Sequence, residues 1–145
     1  MFVIFIVNNH DTPLVALGDI AIVLDSGAEV IAGSTRMGAG TAQKAALNLL
    51  STLTHIRLGA VHDGMMVNVQ AGNLKLKQRA AEIVANISGG SLDQATHDLN
   101  ETNAQVKPDV LLFSGAENFE TSQLLLASTK GNLRLALSQL THHTR

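Results

Sequence analysis

Phe2-Val3-Ile4-Phe5-Ile6-Val7, closed by Asn8-Asn9-His10-Asp11-Thr12-Pro13 and followed by Asp19-Ile20-Ala21-Ile22-Val23-Leu24, is the stretch that decides the fold class. Residues 2–7 are β-branched and aromatic without alternation, which predicts a strand buried on both faces, and the Asn, Asp and Pro residues after it predict a turn. Residues 20–24 read as a second short buried strand. Gly27 to Gly40 holds four glycines with Ser34 and Thr35, and predicts a loop that delivers the chain into a helix. That helix runs from about Thr41 to Leu58, with Ala42, Ala45, Ala46, Leu49, Leu53 and Ile56 on one stripe and Gly59 as its stop. Strand, strand, glycine loop and helix together predict an α/β fold. Two strands are too few for a parallel sheet, which is normally covered on both faces and several strands wide. More sheet is therefore expected, from another chain or from a longer sheet of which this pair is the end.

A second helix is predicted from Asn73, its N-cap, to Ile87, with Leu76, Ala80, Ile83, Val84 and Ile87 facing inward and Gly89-Gly90 after it. From Ser91 the pattern changes to short helices. Ser91-Leu92-Asp93-Gln94 is a capping box, Pro108 marks a helix start, and Gly115 and Gly131 punctuate the rest. Leu124, Leu125, Leu126, Leu133, Leu135, Leu137 and Leu140 are the candidate core of this part. The expected division is residues 1–90, an α/β part, and 91–145, a small helical module.

Composition narrows the function. The 145 residues are 46% hydrophobic and 15% charged, which suits a folded domain. The longest apolar run, residues 2–7, is far short of the roughly 18 residues of a membrane span and lacks the flanks of a secretion signal, so the expected location is the cytoplasm without membrane contact. There are no cysteines, which excludes disulfides, thiol catalysis and cysteine-bound metal. Aromatics are 3%, with no Trp or Tyr, which leaves single-stranded nucleic acid little to stack on. Residues 31–90 carry six Lys and Arg against two acids. That excess suits a small anion or plain solvated helix faces, and it lacks the density of a duplex-binding surface. No two of the six histidines have the spacing of a helical metal-ligand pair with an acid beside it, so no metal is expected. Lys75, Lys77 and Arg79 spread over more than one helix face and read as a solvated surface.

The candidate site lies in and just after the glycine loop: Glu29, Gly33, Ser34, Thr35, Arg36 and Lys44. A helix start offers unpaired N–H groups and the positive end of its dipole. Two hydroxyls and a guanidinium beside it suit a phosphate dianion. Glu29, a few residues upstream, is placed to exchange a proton with a bound sugar. The same residues also fit an ordinary helix start, with Ser34 or Thr35 as cap, Arg36 a surface charge and Glu29 a loop acid.

Gly27-Ala28-Glu29-Val30-Ile31-Ala32-Gly33-Ser34-Thr35-Arg36-Met37-Gly38-Ala39-Gly40-Thr41-Ala42-Gln43-Lys44, continued by Leu47-Asn48-Leu49-Leu50-Ser51-Thr52, Met66-Val67-Asn68-Val69-Gln70-Ala71 and Asn73-Leu74-Lys75-Leu76, resembles the signature of the N-acetylmuramic acid 6-phosphate etherases. These belong to the sugar isomerase (SIS) superfamily. The resemblance implies the C-terminal part of a doubly wound parallel-sheet SIS domain in residues 1–90 and a ubiquitin-associated-like helical module in 91–145. It implies a lyase that cleaves a D-lactyl ether in amino-sugar recycling, without metal or organic cofactor. Glu29, spaced from Ser34-Thr35 as the catalytic glutamate is in sugar-isomerising members, becomes the candidate catalytic group; Gly33, Ser34, Thr35, Arg36 and Lys44 become the phosphosugar-binding residues.

The match covers only the second half of the family pattern. The first half, with serine-rich phosphate loops and the glutamates assigned to ether cleavage, has no counterpart in these residues, so the chain alone is expected to be an incomplete catalyst. A homodimer or a complementary N-terminal SIS half is the expected partner. The alternative is a non-catalytic phosphosugar-binding or oligomerisation module. Two departures stand out: Ala28 where the family has proline, and Gly38 where it has lysine.

Overall fold

A computed structural model describes residues 1–69, 71–101 and 104–143, with the side chains of Asn100, Glu101, His142 and His143 outside the described set. The chain forms two compact units, Met1–Leu53 and Thr54–Arg145. The sequence boundary at residue 91 differs from this division. Helix α2 (Leu74–Ser88), grouped with the α/β part from sequence, packs on α3 (Leu92–Glu101) and α4 (Val106–Phe113).

In the first unit, β1 (Ile4–Val7) pairs with β2 (Ile20–Val23) in parallel, with Ile4 opposite Ile20 and Val7 opposite Val23. A single 3-10 turn, Pro13–Ala16, lies on the connection, with Thr12 as its cap. Two side chains fasten the pair at its ends: Asp19 accepts from the Val3 N–H at 2.7 Å, and the Asn8 amide donates to the Leu24 carbonyl at 3.0 Å. Helix α1 (Ala39–Arg57) follows the glycine loop and starts two residues earlier than expected. The α/β character and the parallel pairing stand, with six α-helices and a second, two-stranded antiparallel sheet among the described residues.

The expected burial of this unit is corrected. Of residues 1–53, Val7 is the one buried side chain. The strands are half-exposed, and the α1 stripe is uncovered along Ala45, Leu49 and Leu53. The reason is physical: an unalternating apolar strand needs cover on both faces, and the pair has too few neighbours to provide it.

The second unit has the core. Ala80, Ala81, Ile83 and Val84 of α2 meet Ala95 and Leu99 of α3, Val106, Val110 and Leu111 of α4, and Leu133 and Ala136 of α6 (Leu133–His143). The caps match the sequence reading. Asn73 accepts from the Leu76 N–H at 2.9 Å, Gly89 closes α2 in the left-handed conformation, and Ser91 accepts from the Gln94 N–H at 3.3 Å. Helix α5 (Phe119–Ser128) is capped by Asn118, which accepts from the Thr121 N–H at 2.9 Å. Two expected core residues are corrected: Leu124 is 66% and Leu135 52% exposed, because each lies on the outer side of its helix. Leu125, Leu126, Leu137 and Leu140 pack partly against the core.

A hairpin missed in the sequence joins β3 (Val61–His62) to β4 (Met65–Met66) through Asp63-Gly64. Both turn residues have positive φ, 46° and 77°, as a two-residue hairpin turn of this kind demands. Arg134 of α6 donates to the Asp63 carboxylate at 2.5 Å, and buried His62 stands 3.4 Å from the same group. Burial holds the His62 imidazole below its ordinary pKa against the opposing pull of Asp63.

Gly59 ends α1 at φ 69°, and a Cβ there would stand 2.9 Å from the Gly131 carbonyl oxygen. That carbonyl also accepts from Lys107 Nζ at 2.7 Å, so it is fixed from the other side. Gly59→Ala combines left-handed strain with this clash, and should destabilise the second unit by about 1–3 kcal/mol. Asn73→Ala, which removes one cap, should cost about 1 kcal/mol. Chemical denaturation checks both, and a neutral Gly59→Ala contradicts the packing described.

Candidate functional site

The parallel strand ends, the loops after them and the start of α1 enclose an open cleft of about 610 Å³ within the first unit. Its lining includes Ile6, Asn8, Asn9 and Thr12 after β1, Ser26, Gly27 and Glu29 after β2, Thr35 from the loop, and Ala39, Gly40 and Gln43 from α1. Ligands of open α/β sheets bind outside the carboxyl ends of the strands, and this cleft occupies that position. Asn8 spends its amide N–H on Leu24, and its Oδ1 is buried without a hydrogen-bond partner among the described residues.

Glu29 has a role that spacing did not anticipate. Its Oε2 accepts from the Gly38 N–H and its Oε1 from the Ala39 N–H, both at 2.9 Å. The carboxylate thus caps α1, filling two of the amides that a helix leaves unpaired at its start. These hydrogen bonds, Ala39 first and Gly38 second, hold its pKa below the ordinary glutamate value. Near neutral pH the group is a carboxylate, unfit to donate a proton and a weaker base than a free glutamate. Gly38 is part of the same arrangement. A Cβ at that position would come within 3.2 Å of Glu29 Oε1, tighter than ordinary contact.

The other candidates spread out. Thr35 joins Glu29 in the cleft, and its carbonyl accepts from the Gly40 N–H at 2.8 Å. Gly33 takes φ 78°, and the Ser34 N–H donates to the Ile31 carbonyl, which gives the loop its sharp reversal. Gly33, Ser34, Arg36 and Lys44 are outside the cleft lining. The side chains of Ser34, Thr35, Arg36 and Lys44 make no hydrogen bond or ion pair among the described residues, and the last three residues are exposed. Helix α1 starts three residues after Arg36.

A second cleft, about 660 Å³, lies in the second unit and is lined by Asn68, Gln105, Lys107 and Gln123 among apolar neighbours. Desolvation lowers the Lys107 pKa there, and its ammonium is held on the Gly131 carbonyl. Sequence reading singled out none of these four for chemistry. Among the described residues no helix is long and apolar enough to cross a membrane, and no group of three metal-ligating side chains converges.

No family model matches the chain. Curated proteins do match it. The chain is 42% identical over 130 residues to the N-acetylmuramic acid 6-phosphate etherase of Streptomyces avermitilis, covering 90% of this chain and 42% of that one. It is 41% identical over 130 residues to the same etherase of Streptomyces coelicolor, and 41% over 129 residues to that of Yersinia pestis, covering 44% of the latter. The chain therefore spans about two fifths of the length of the curated relatives it matches.

The Glu29 cap gives a pH signature. A carboxylate whose pKa is lowered by folding contributes stability that is present above its unfolded value, near 4.5, and is lost as pH falls through the folded value. Glu29→Ala should lower the melting temperature at pH 7, and the difference from wild type should shrink below about pH 4.5. Thermal melts across pH 3 to 7 check this; a difference constant with pH removes the ionised cap.

Proposed function

From its homology to N-acetylmuramic acid 6-phosphate etherases, of which a C-terminal segment fits the match, we propose that this chain is the phosphosugar-binding part of such an etherase, working in the cytoplasm. The observation that carries the reading is the 42% identity over nine-tenths of the chain. It is supported by the ionised Glu29 beside a cleft at the carboxyl ends of two parallel strands.

The reaction is a β-elimination. A carboxylate takes the C2 proton alpha to the carbonyl of the ring-opened sugar, the C3–oxygen bond breaks as a general acid protonates the leaving oxygen, and D-lactate departs with the bonding pair; water then adds across the C2–C3 double bond, its hydroxyl at C3 and its proton at C2. Glu29 is the proposed base for that step: it is ionised near neutral pH, while its two amide hydrogen bonds make it a weaker base than a free glutamate, so it acts after leaving at least one of them. Ser34, Thr35 and Arg36 are the proposed phosphate contacts, with Gly33 allowing the turn and Lys44 adding positive charge along the first turns of α1. No metal or organic cofactor is required, because carboxylates of separated pKa can carry both proton transfers. The partner is a homodimer mate or a complementary SIS half.

A second reading is a phosphosugar-binding or oligomerisation module without catalysis. It is favoured by one observation: the chain corresponds to about 42% of the etherase length. The two readings part in a lactate-release assay. A polypeptide of these 145 residues should release no lactate from N-acetylmuramic acid 6-phosphate, and turnover of about 1 per second or faster would refute its incompleteness. By calorimetry, the same sugar phosphate should bind weakly, and Arg36→Ala should weaken it by about tenfold. Glu29→Gln should leave affinity intact or slightly higher, since it removes a negative charge near the phosphate. Equal affinity in wild type and Arg36→Ala, or no binding at millimolar ligand, overturns the site.

A further inference from the structure

We propose that the cleft around Lys107 in the second unit binds a small carboxylate that carries an amide and an alkyl side chain, the chemistry of an N-acylated amino acid. The site goes beyond the phosphosugar reading and stands without it, since every residue it uses lies within Thr54–Arg145.

The second unit repeats itself. Helices α3 and α4, which begin at Leu92 and Val106, recur 27 residues later as α5 and α6, which begin at Phe119 and Leu133. The repeat holds in detail. Each first helix is capped by the residue before it, Ser91 on the Gln94 N–H and Asn118 on the Thr121 N–H. Each connection turns through a residue of positive φ, Ala104 at 58° and Gly131 at 75°. Each second helix opens on a buried aliphatic side chain, Val106 or Leu133, and the next residue is a cation, Lys107 in one copy and Arg134 in the other. The two cations differ in what they meet. Arg134 donates to the Asp63 carboxylate. Lys107 has no carboxylate partner among the described residues; it spends one N–H on the Gly131 carbonyl at 2.7 Å and keeps two.

The surroundings of Lys107 define the ligand. It is half-buried on a cleft of about 660 Å³, a size suited to a small molecule, and desolvation disfavours its charge there. A carboxylate in the cleft gives Lys107 what Asp63 gives Arg134. A phosphate dianion would bring two charges to a single, partly desolvated ammonium, and its second charge would be buried without a cation to meet it. Asn68, Gln105 and Gln123 line the same cleft, and their carboxamides make no hydrogen bond among the described residues. Each offers both donors and an acceptor, the complement of an amide N–H and C=O. Val69 and Leu126 supply apolar lining that suits an alkyl side chain and not the hydroxylated faces of a sugar.

The test titrates the full chain with N-acetylleucine, followed by calorimetry and by the side-chain amide signals of Asn68, Gln105 and Gln123 in NMR spectra. The expected result is a Kd of about 1 mM or tighter, with those signals shifted and those of Asn8 and Asn9 in the first unit unmoved. N-acetylleucinamide, which lacks the carboxylate, and inorganic phosphate should each bind at least tenfold more weakly. Lys107→Met should cost at least tenfold in affinity. Lys107 also holds the Gly131 carbonyl, so Gln123→Ala, on an exposed position that leaves this contact intact, is the second variant; it should weaken binding about threefold. No binding at millimolar N-acetylleucine, equal affinity for its amide or for phosphate, shifts confined to the first unit, or wild-type affinity in Gln123→Ala or in a folded Lys107→Met overturns the site.

Discussion

A helix begins with N–H groups that nothing inside the helix can accept, and at α1 the carboxylate of Glu29 takes two of them. This cap ties the end of the β2 loop to the helix start across nine and ten residues, and it closes the glycine loop between them into a defined reversal. Gly33 at φ 78° and the Ser34–Ile31 turn complete that loop. The cleft at the strand ends exists because the loop is held this way: Glu29 and Thr35 form one wall, Ala39 and Gly40 another. Charge follows from the same contact. The positive end of the helix is partly neutralised from within, so an incoming anion meets a helix end that already has a negative partner.

The two units differ in how they are stabilised. The second buries a shared core among α2, α3, α4 and α6, and secures its turns with Asn73, Asn118, Gly89 and Gly131. Such a unit holds its shape by local means, with short connections and neighbours close in sequence. The first unit has hydrogen-bonded strands and a capped helix but little buried apolar surface. Backbone hydrogen bonds contribute modestly to net stability, whereas burial supplies most of it. A unit with the first kind of interaction and little of the second has its element geometry specified by hydrogen bonds and caps more than by burial.

Legibility in the sequence follows the range of the forces. Both strands, the glycine loop, Asn73 as cap, Ser91 in its capping box and the glycine stops were legible because each depends on residues within a turn or two. Their boundaries hold to within two residues. Burial of β1 and β2 was misread because an apolar run reports what a strand needs, not whether its neighbours are there. The Asp63-Gly64 hairpin carried a local signal, a two-residue turn with apolar flanks, that was overlooked. Arg134 on Asp63, 71 residues away, had none, nor did the close approach of Gly59 to Gly131. At the site, the spacing of Glu29 from Ser34-Thr35 and the helix start from glycine were readable. That the carboxylate would turn to the Gly38 and Ala39 amides depends on backbone directions that spacing does not encode.

Gly38 shows how one such detail links sequence to chemistry. Where the resembled family has lysine, this chain has glycine, and charge alone would make that a lost cation beside the anion site. The geometry gives the position a second meaning. A Cβ would sit 3.2–3.3 Å from the Glu29 carboxylate atoms, so a side chain at 38 requires the carboxylate or the loop to give by a few tenths of an ångström. A lysine would bring two effects together: a slight displacement of the carboxylate and an ammonium group beside it. Glycine does the opposite, seating the carboxylate on the amides and leaving Arg36 and Lys44 as the cations nearest in sequence. Position 38 therefore sets how closely the chain's own carboxylate seats on the start of α1, and with it how much of the positive end of the helix is already neutralised.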